Sequence, residues 1–416
     1  MAPPVDVLVV GAGPAGAAAA ATAARLGLRT VVCDRAGFPR DKTCGDGLTT
    51  QALRLLERLG LGRDALDAAG YQPVRETVLV SPAGRRVTLP LPADGEHAGV
   101  VTRLGLDERL VALARAAGAE VRTAVGVADV VADADGVKAR TADGGTIEAR
   151  HLVAADGHWS AVRRALRPEA PADLGTWHAA RQYFDGVDDD RLWVIFERDL
   201  LPGYAWVFPL PGGGANVGFG VLRARRRGRE LKALWQDVIA RRALRDALGR
   251  RARPRGPVRA WPIPTAYAPE RLADGRVLYV GDAAAVVDPM TGEGIAQAIE
   301  TGILAAEAIA RGGDVANGYR DAVERALGRD LRFAARLQRV LASPRRTELT
   351  IRAIDACDWT RRSFARWMFE GYPRAVLLTP DRWHRRRFTA PGAYARVNAP
   401  RPAWQTAAPW PQDERK

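Results

Sequence analysis

The sequence predicts an α/β fold that combines a Rossmann-type dinucleotide-binding domain, an inserted antiparallel-sheet domain and a helical C-terminal part. Three observations support this prediction. Apart from Asp6, residues 5–10 are β-branched or leucine, which is typical of a buried parallel strand, and a glycine turn and an alanine-rich helix follow at once. A second hydrophobic strand, residues 30–33, ends in Asp34. Between residues 181 and 221, short apolar strands alternate with glycine and proline turns.

Length and composition exclude several classes of protein. A chain of 416 residues is too long for one compact core and indicates two or three domains. No apolar run is long enough to span a bilayer, and the N-terminus lacks a signal-peptide pattern, so we expect a cytoplasmic protein. The three cysteines, Cys33, Cys44 and Cys357, are widely spaced, which predicts neither a disulfide framework nor a metal site.

The net charge of +14 has two interpretations. Basic residues could attract an anionic partner, such as a membrane surface at which the protein would be peripheral. However, much of the excess is arginine at residues 223–259 and 382–387, and a helix predicted at residues 230–248 carries its arginines opposite its apolar face. This pattern favours a solvated face. No recognition module accompanies the charge, so no nucleic-acid partner is expected.

The first glycine turn has the features of a pyrophosphate-binding site. Gly11 permits the turn, Gly13 lets the backbone approach the phosphates, and Gly16 lets the helix pack closely on the strand. Free N–H groups at the helix N-terminus face the negative charge. Asp34 follows at about the twenty-residue distance at which an acid binds a ribose hydroxyl. The predicted cofactor residues here are Gly11, Gly13, Ala15, Gly16, Asp34 and Arg35.

The irregular segment at residues 38–47 reads FPRDKTCGDG. Proline and glycine exclude regular structure, and two glycines around an acid let the main chain pass close to a flat ligand. From its spacing alone, Cys44 is an ordinary half-buried thiol. The stretch PRDKTCGDGLT after a GAGPAG turn resembles the geranylgeranyl reductase family of FAD-dependent oxidoreductases, which shares its fold with p-hydroxybenzoate hydroxylase.

The resemblance implies both a cofactor and an activity. The family reduces isolated double bonds in prenyl chains of lipids, quinones or chlorophyll precursors, with FAD as the cofactor. It places the segment of Cys44, Gly45 and Asp46 beside the flavin. Because no second glycine fingerprint is present, NAD(P)H or another external donor would reduce the flavin transiently.

Three later motifs resemble FAD-contacting segments of the same fold. Arg103 opens a helix with the RxxLDxxL pattern, and DGHWSAVR from Asp156 is similar to a DGxxSxVR motif. A strand at residues 277–280 leads to Asp282, whose carboxylate can accept a ribityl hydrogen bond. The loop after it ends at a bare helix N-terminus, which stabilises negative charge on a reduced flavin. The predicted cofactor residues of these motifs are Arg103, Asp156, Gly157, Asp282, Pro289, Gly292, Gly294 and Ile295.

The inserted domain supplies the predicted substrate pocket. Successive antiparallel strands are predicted at residues 181–184, 192–196, 205–208 and 215–221. Residues 202–209, PGYAWVFP, resemble the PGYxWxFP motif that lines the substrate pocket in the family, although aromatics that alternate along a strand are normally core. Tyr204 departs from the WxWxIP motif of flavin-dependent halogenases. The predicted substrate-binding residues are Tyr204, Trp206, Phe208 and Pro209.

These segments predict the domain organisation. The FAD-binding domain is discontinuous and comprises residues 1–70, 98–165 and 275–330. The substrate domain comprises residues 71–97 and 166–274. A helical region at residues 331–397, rich in tryptophan and arginine, suits either contact with a lipid surface or packing on the FAD-binding domain. Residues 398–416 have several prolines and no periodicity, which predicts a flexible tail.

We therefore predict an FAD-dependent oxidoreductase that reduces isolated C=C bonds of a hydrophobic isoprenoid substrate. Protonation of the alkene is the hard step. Cys44 and Tyr204 are the candidate catalytic proton donors, with reference pKa values of about 8.5 and about 10. The alternative is an FAD-dependent monooxygenase that acts on an aromatic or terpenoid metabolite. A non-catalytic FAD-binding or membrane-adaptor protein is a third alternative, and the sequence does not define the oligomeric state.

Overall fold

The computed structural model of the protein describes residues 4–169, 175–225, 231–369 and 391–395. The arginine cluster at residues 382–387 and the predicted tail at residues 398–416 lie outside the described residues. Its strands are β1 (Val5–Val10), β2 (Thr30–Asp34), β3 (Gly47–Thr49), β4 (Gln72–Pro73), β5 (Glu76–Val80), β6 (Arg86–Pro90), β7 (Ala98–Val100), β8 (Glu120–Thr123), β9 (Val127–Ala132), β10 (Val137–Thr141), β11 (Thr146–Ala154), β12 (Trp177–Asp185), β13 (Leu192–Ile195), β14 (Ala205–Leu210), β15 (Gly214–Leu222), β16 (Arg253–Ile263), β17 (Ala273–Asp274) and β18 (Val277–Tyr279). Its α-helices are α1 (Pro14–Arg25), α2 (Thr50–Arg58), α3 (Arg63–Asp67), α4 (Arg103–Ala116), α5 (Ala161–Leu166), α6 (Leu231–Ile239), α7 (Arg242–Leu248), α8 (Ile295–Arg311), α9 (Val315–Val323), α10 (Arg329–Leu341), α11 (Pro344–Ile354) and α12 (Asp358–Phe369).

The first sheet is the predicted nucleotide-binding sheet. Its main path runs β17-β18-β11-β1-β2-β8, with β10 and β9 added beside β11. The strands from β18 to β8 are parallel, and β1 lies between β11 and β2. Val7, Leu8 and Val9 of β1 are fully buried, as expected for a parallel strand covered on both faces. This sheet aligns the carboxyl ends of β1 and β2, where α1 begins and Asp34 lies.

Strand β11 is the longest strand of this sheet and has two neighbours along one edge. It runs unbroken from Thr146 to Ala154. Its first half pairs with β10 and its second half continues along β1. The exposed side chain of Arg150 fits the alternation of β11, so the basic residue does not interrupt the strand.

The second sheet is built from two distant parts of the chain. Its order is β16-β12-β15-β14-β13-β5-β6. All neighbours are antiparallel except β13 and β5, which are parallel. The four strands predicted in the inserted domain are β12, β13, β14 and β15, and within the sheet β12 pairs with β15 and β16 and not with β13. The domain boundaries themselves stay a prediction.

The predicted helix at residues 230–248 is two helices, α6 and α7, and residue 230 lies outside the described residues. The chain is extended at Arg241 between them. The Arg241 guanidinium pairs with Asp199 and Asp237 at 2.7 and 2.6 Å, so it ties this break to the loop after β13. The two helices cover one face of the second sheet through Leu234, Trp235 and Leu244.

The C-terminal helices pack on the second sheet. Ile351, Ile354 and Phe369 of α11 and α12 belong to the same apolar core as Val87 and Leu89 of β6. Of the two alternatives for this region, packing on the FAD-binding domain is replaced, for these two helices, by contact with the second sheet. None of the helices in the described ranges combines the length and the hydropathy needed to cross a membrane.

Candidate active site

A cleft of about 530 Å³ opens between the two sheets, in the size range of small-molecule sites. The turn after β1, the end of β2, the irregular segment before β3, strand β14 and the loop before α8 all line it. Most of the predicted site residues line this cleft, namely Gly11, Gly13, Ala15, Asp34, Arg35, Cys44, Gly45, Asp46, Arg103, Asp156, Gly157, Tyr204, Trp206, Phe208, Asp282, Gly292, Gly294 and Ile295. The tertiary fold thus brings together segments that are distant in the chain.

Three predicted residues do not line the cleft. A Cβ atom on Gly16 would lie 1.8 Å from the Gly11 carbonyl oxygen, so Gly16 serves the packing of α1 on the turn. The Pro289 carbonyl accepts a hydrogen bond from Gln338, which fixes the loop from behind. Pro209 is one position away from Phe208 in β14, and neighbours along a strand point to opposite faces. Pro209 therefore belongs to the face away from the cleft.

The glycine turn forms an anion cradle. Gly11 has φ +98°, and a Cβ there would lie 2.4 Å from the Ala155 carbonyl oxygen, so only glycine fits. Gly13 is the N-cap of α1 and supplies no capping side chain. Guanidinium nitrogens of Arg103 and Arg40 lie 3.6 Å from the position of a Cβ on Gly13. Free helix N–H groups and two cations at one point suit a phosphate.

Asp34 connects this turn to the end of β2. Its carboxylate accepts hydrogen bonds from the backbone N–H groups of Ala12 at 2.7 Å and Ala36 at 2.8 Å. Each carboxylate oxygen has a second lone pair. Asp34 can therefore hold the turn and still accept a hydrogen bond from a ribose hydroxyl in the cleft.

Arg103 is held by a buried carboxylate. It forms a two-pronged pair with Asp107 on the next turn of α4, at 2.7 and 2.8 Å. Arg40 pairs with the same carboxylate at 3.1 Å. Asp107 is fully buried, so the pair fixes both guanidinium groups at the cleft wall. The RxxLDxxL pattern therefore supplies the arginine together with the acid that positions it.

The loop before α8 is ordered by Asp288. Its carboxylate accepts hydrogen bonds from the backbone N–H groups of Met290 and Thr291 at 2.8 and 2.9 Å. The loop ends at Gly294, the N-cap of α8, which supplies no capping side chain. A Cβ on Gly294 would lie 3.8 Å from the Asp282 carboxylate. The N-terminus of this 17-residue helix and Asp282 thus meet at one end of the cleft.

Asp46, a predicted cofactor residue, is also hydrogen-bonded within the protein. Asp46 is fully buried, and its backbone torsion angle φ is +64°. The carboxylate accepts hydrogen bonds from the Tyr183 hydroxyl at 2.7 Å, the Asn216 amide at 2.8 Å and the Arg103 backbone N–H at 3.2 Å. Burial raises the pKa of Asp46 to about 6, against the opposing effect of the hydrogen bonds from Asn216 and Tyr183. These hydrogen bonds hold the segment around Asp46 in place at the cleft wall.

Asn216 links this segment to the aromatic strand. Its side-chain oxygen accepts a hydrogen bond from the Trp206 indole N–H at 3.0 Å. Its amide nitrogen donates to the Cys44 carbonyl oxygen at 2.8 Å as well as to Asp46. A fully buried asparagine with every polar atom bonded fixes the relative position of three cleft-lining groups.

The second sheet contributes an aromatic wall, which we define as Tyr204, Trp206 and Phe208. Neighbouring ring centroids in it are 6.0 Å apart. A Cβ on Gly218 would lie 2.3 Å from the Trp206 ring, so the indole lies directly over the backbone of β15. Across from the wall, a Cβ on Gly47 would lie 3.1 Å from the Phe208 ring. Glycines on both sides let the rings and the irregular segment approach closely.

The two predicted proton donors lie in this part of the cleft, but both are poorly suited to give up a proton. Burial raises the pKa of the Cys44 thiol, and the nearby Asp46 carboxylate raises it further. The Tyr204 hydroxyl donates a hydrogen bond to the Thr291 carbonyl oxygen. In the part of the chain that the structure describes, no group of three His, Cys, Asp or Glu side chains is placed to hold a metal ion.

Comparison with known proteins decides the family. Residues 4–314 match the family model of the FAD binding domain. The chain is 36% identical over 353 residues to the menaquinone reductase of Mycobacterium tuberculosis (strain H37Rv), covering 82% of this chain and 85% of that protein. It is 31% identical over 324 residues to the digeranylgeranylglycerophospholipid reductase of Methanothrix thermoacetophila, covering 73% and 77%. The chain belongs to the geranylgeranyl reductase family of FAD-dependent oxidoreductases.

A solved structure has the same fold as this geranylgeranyl reductase family member. A geranylgeranyl bacteriochlorophyll reductase-like protein from Thermoplasma acidophilum superposes with a TM-score of 0.76 at 24% identity, covering 91% of this chain and 98% of that chain. The predicted α/β fold is confirmed, and so are the predictions of an enzyme, of FAD as cofactor and of oxidoreductase chemistry.

In this reductase family member, the arrangement of the residues that line the cleft fits FAD. The cradle at Gly13, flanked by Arg40 and Arg103, would hold a diphosphate, and Asp34 in the same cleft would accept a hydrogen bond from a ribose hydroxyl. The uncapped N-terminus of α8 can face the negative charge of a reduced flavin. The individual cofactor contacts stay predictions.

Sequence reasoning missed two residues that support the cleft wall and two that line the cleft. Asn216 and Gly218 lie behind the wall and were unassigned, although they alternate with buried apolar residues in GANVGFGV and so share one face of β15. A polar residue in a buried strand is a signal that could have found Asn216. Lys42 and Trp261 line the cleft, and neither was singled out.

Proposed function

We propose that the protein reduces isolated C=C bonds in the prenyl chain of a lipid or quinone. The observation that carries this proposal is the aromatic wall, which faces the Cys44–Gly47 side of the same cleft that the predicted FAD-binding residues line. Such a wall suits an apolar chain, because it offers large rings with few polar partners. The names of two relatives support it, since they denote reductases of a quinone and of a geranylgeranyl lipid.

The chemistry divides between cofactor and protein. Reduced FAD, when bound, supplies a hydride, and we propose that NAD(P)H or another external donor keeps it reduced. The residues of the chain have to orient the alkene, exclude water and deliver a proton. The network of Asp46, Asn216 and Trp206 holds the cleft walls in register, which is a requirement for placing an unactivated alkene.

We also propose that the protein works as a peripheral protein at a membrane surface. The support is the exposure of two apolar side chains, Leu349 on α11 at 63% and Trp359 on α12 at 70%. Helix α11 also carries three arginines, Arg345, Arg346 and Arg352, against one acid, Glu348, which pairs with Arg352. Anionic lipids attract such an excess of basic residues. Co-sedimentation with anionic vesicles should fall in a Leu349→Ser, Trp359→Ser double variant. Equal binding by this variant and the wild type would contradict the proposed surface.

Anaerobic turnover followed by mass spectrometry tests the proposed reaction. The flavin is reduced photochemically, and the protein is incubated with geranylgeraniol, a menaquinone and a geranylgeranyl glycerophospholipid. A gain of two hydrogens without oxygen supports the reductase. Product that forms only in air and gains one oxygen atom supports the monooxygenase alternative.

A further inference from the structure

One lysine lies in the cleft of an arginine-rich protein. The chain has four lysines, Lys42, Lys138, Lys232 and Lys416, among 62 basic residues. Lys42 is half-buried in the irregular segment and lines the cleft. Its ammonium nitrogen lies 3.8 Å from the centroid of the Trp261 ring, which also lines the cleft. The cation therefore lies where the FAD-binding part meets the edge strand β16.

The arginine side chains around Lys42 form ion pairs with carboxylates. Arg40 pairs with Asp107 at 3.1 Å. Arg181 and Arg259 both pair with Asp41, at 2.6 and 3.5 Å. For Lys42, the described residues place no carboxylate within ion-pairing distance, and its contact is the face of an indole. An aromatic ring is a much weaker hydrogen-bond acceptor than a carboxylate. An ammonium that contacts a ring therefore keeps its protons available for donation.

The surroundings also make this ammonium more acidic. Burial lowers the pKa of Lys42 from its ordinary value of 10.5 to about 8. The Asp282 carboxylate and the Cys44 thiol oppose this effect, whereas Arg103 and Arg40 add to it. The Trp261 ring favours the charged form. At neutral pH the group is thus still protonated but releases a proton more readily than a solvated lysine.

We propose that Lys42 is the catalytic acid of alkene reduction, donating a proton from its ammonium to the carbon that does not receive the hydride. This proposal rests on the proposed function. The alkene π bond breaks and two C–H bonds form, one with the electron pair of the hydride from reduced FAD and one with the proton. The N–H electron pair stays on the Lys42 nitrogen, the flavin is oxidised, and the neutral amine takes a proton from solvent. The external donor then reduces the flavin again.

A charge-preserving variant separates acidity from charge. Lys42→Arg keeps a cation beside the Trp261 ring, but a guanidinium does not release a proton at neutral pH. Lys138→Arg is the matched control, because Lys138 pairs with Glu148 at the surface, at 3.2 Å. Both variants are compared with the wild type in FAD content, in anaerobic flavin oxidation by ferricyanide and in single-turnover oxidation by whichever panel compound the wild type reduces.

We expect Lys42→Arg to retain FAD and ferricyanide oxidation, and to lose alkene-dependent oxidation by about 10²–10⁴-fold, the usual contribution of a general acid. Lys138→Arg should match the wild type in all three. The wild-type alkene step should slow as pH rises through about 8, and this limb should be absent in Lys42→Arg. A near wild-type alkene rate in Lys42→Arg overturns the proposal. A wild type that reduces no panel compound defeats the proposed function instead.

A second readout does not depend on turnover. In holoenzyme with ¹³C-labelled lysine, the NMR resonance lost in Lys42→Arg should titrate at about pH 8. With four lysines in the chain, this assignment is direct. Titration of that resonance near the solvated reference value of about 10.4 would overturn the role of Lys42 as an acid.

Discussion

The indole N–H of Trp206 donates a 3.0 Å hydrogen bond to the side-chain oxygen of Asn216. Through the amide of Asn216, this bond connects the aromatic wall to the Cys44 carbonyl and the Asp46 carboxylate. The two sides of the cleft are thus joined by one fully buried polar side chain. This connection fixes the position of the irregular segment relative to the aromatic wall.

Replacing Asn216 by leucine should therefore loosen the irregular segment. The buried indole N–H and the Asp46 carboxylate each lose a partner, at a cost of about 1–3 kcal/mol for each unsatisfied group. We expect a lower free energy of unfolding and faster labelling of Cys44 by a thiol reagent. Gln182→Leu, at an exposed hydrogen bond on the same sheet, is the control. Unchanged stability and labelling in Asn216→Leu would show that the connection does not position the segment.

Asp46 predicts a specific dependence of stability on pH. Its folded pKa of about 6 lies above the ordinary value of 3.8. The folded state therefore binds more protons between these values, and the stabilising contribution of the protonated group is lost as pH rises through about 6. In denaturant titrations, the stability of the wild type relative to Asp46→Asn should increase from pH 7 to pH 4.5. A difference that stays constant over this range would contradict the raised pKa.

Asp282→Ala should weaken retention of FAD. The variant removes a carboxylate at the end of the cleft beside Gly294, and a hydrogen bond to a charged group contributes about 1.5–3 kcal/mol. The measurement is the Kd of FAD for the apoprotein, with Asp274→Ala as the control, because Asp274 pairs with Arg167 outside the cleft. Equal FAD affinity of Asp282→Ala and the wild type would place the cofactor elsewhere.

Trp206→Ala should impair use of a long prenyl chain in addition to lowering stability. Trp235→Ala is the matched control, since Trp235 is also buried against this sheet but belongs to helix α6, which covers the opposite face. Both changes should cost about 3–5 kcal/mol of stability. Only Trp206→Ala should raise KM for geranylgeraniol relative to a shorter prenol, measured at equal FAD content. A similar change in both variants would assign the aromatic wall to the core.

Local sequence predicted the parts of the site that are local in the chain. The turn from Gly11 to Gly16 and the acid at Asp34 belong to one strand-turn-helix-strand unit, in which each residue type is required by backbone geometry. Period-two alternation also joins Trp206 with Phe208, and the same rule would have excluded Pro209.

Contacts between distant segments were not predictable in this way. Asp46, Tyr183 and Asn216 come from the irregular segment and from two strands of the second sheet, and their network exists only after the sheets pack. Lys42 and Trp261 are likewise brought together by tertiary structure. The parallel pairing of β5 with β13 has no local signature, because strand patterns do not encode partners.

The stoichiometry of one anaerobic turnover tests the central claim most directly. Protein with fully reduced FAD is mixed with the prenyl compound in the absence of oxygen and of any further donor. The account predicts that each flavin oxidised yields one product molecule heavier by two hydrogens, with no oxygen incorporated. The account would be contradicted if the flavin stayed reduced until air was admitted and the product then carried one oxygen atom.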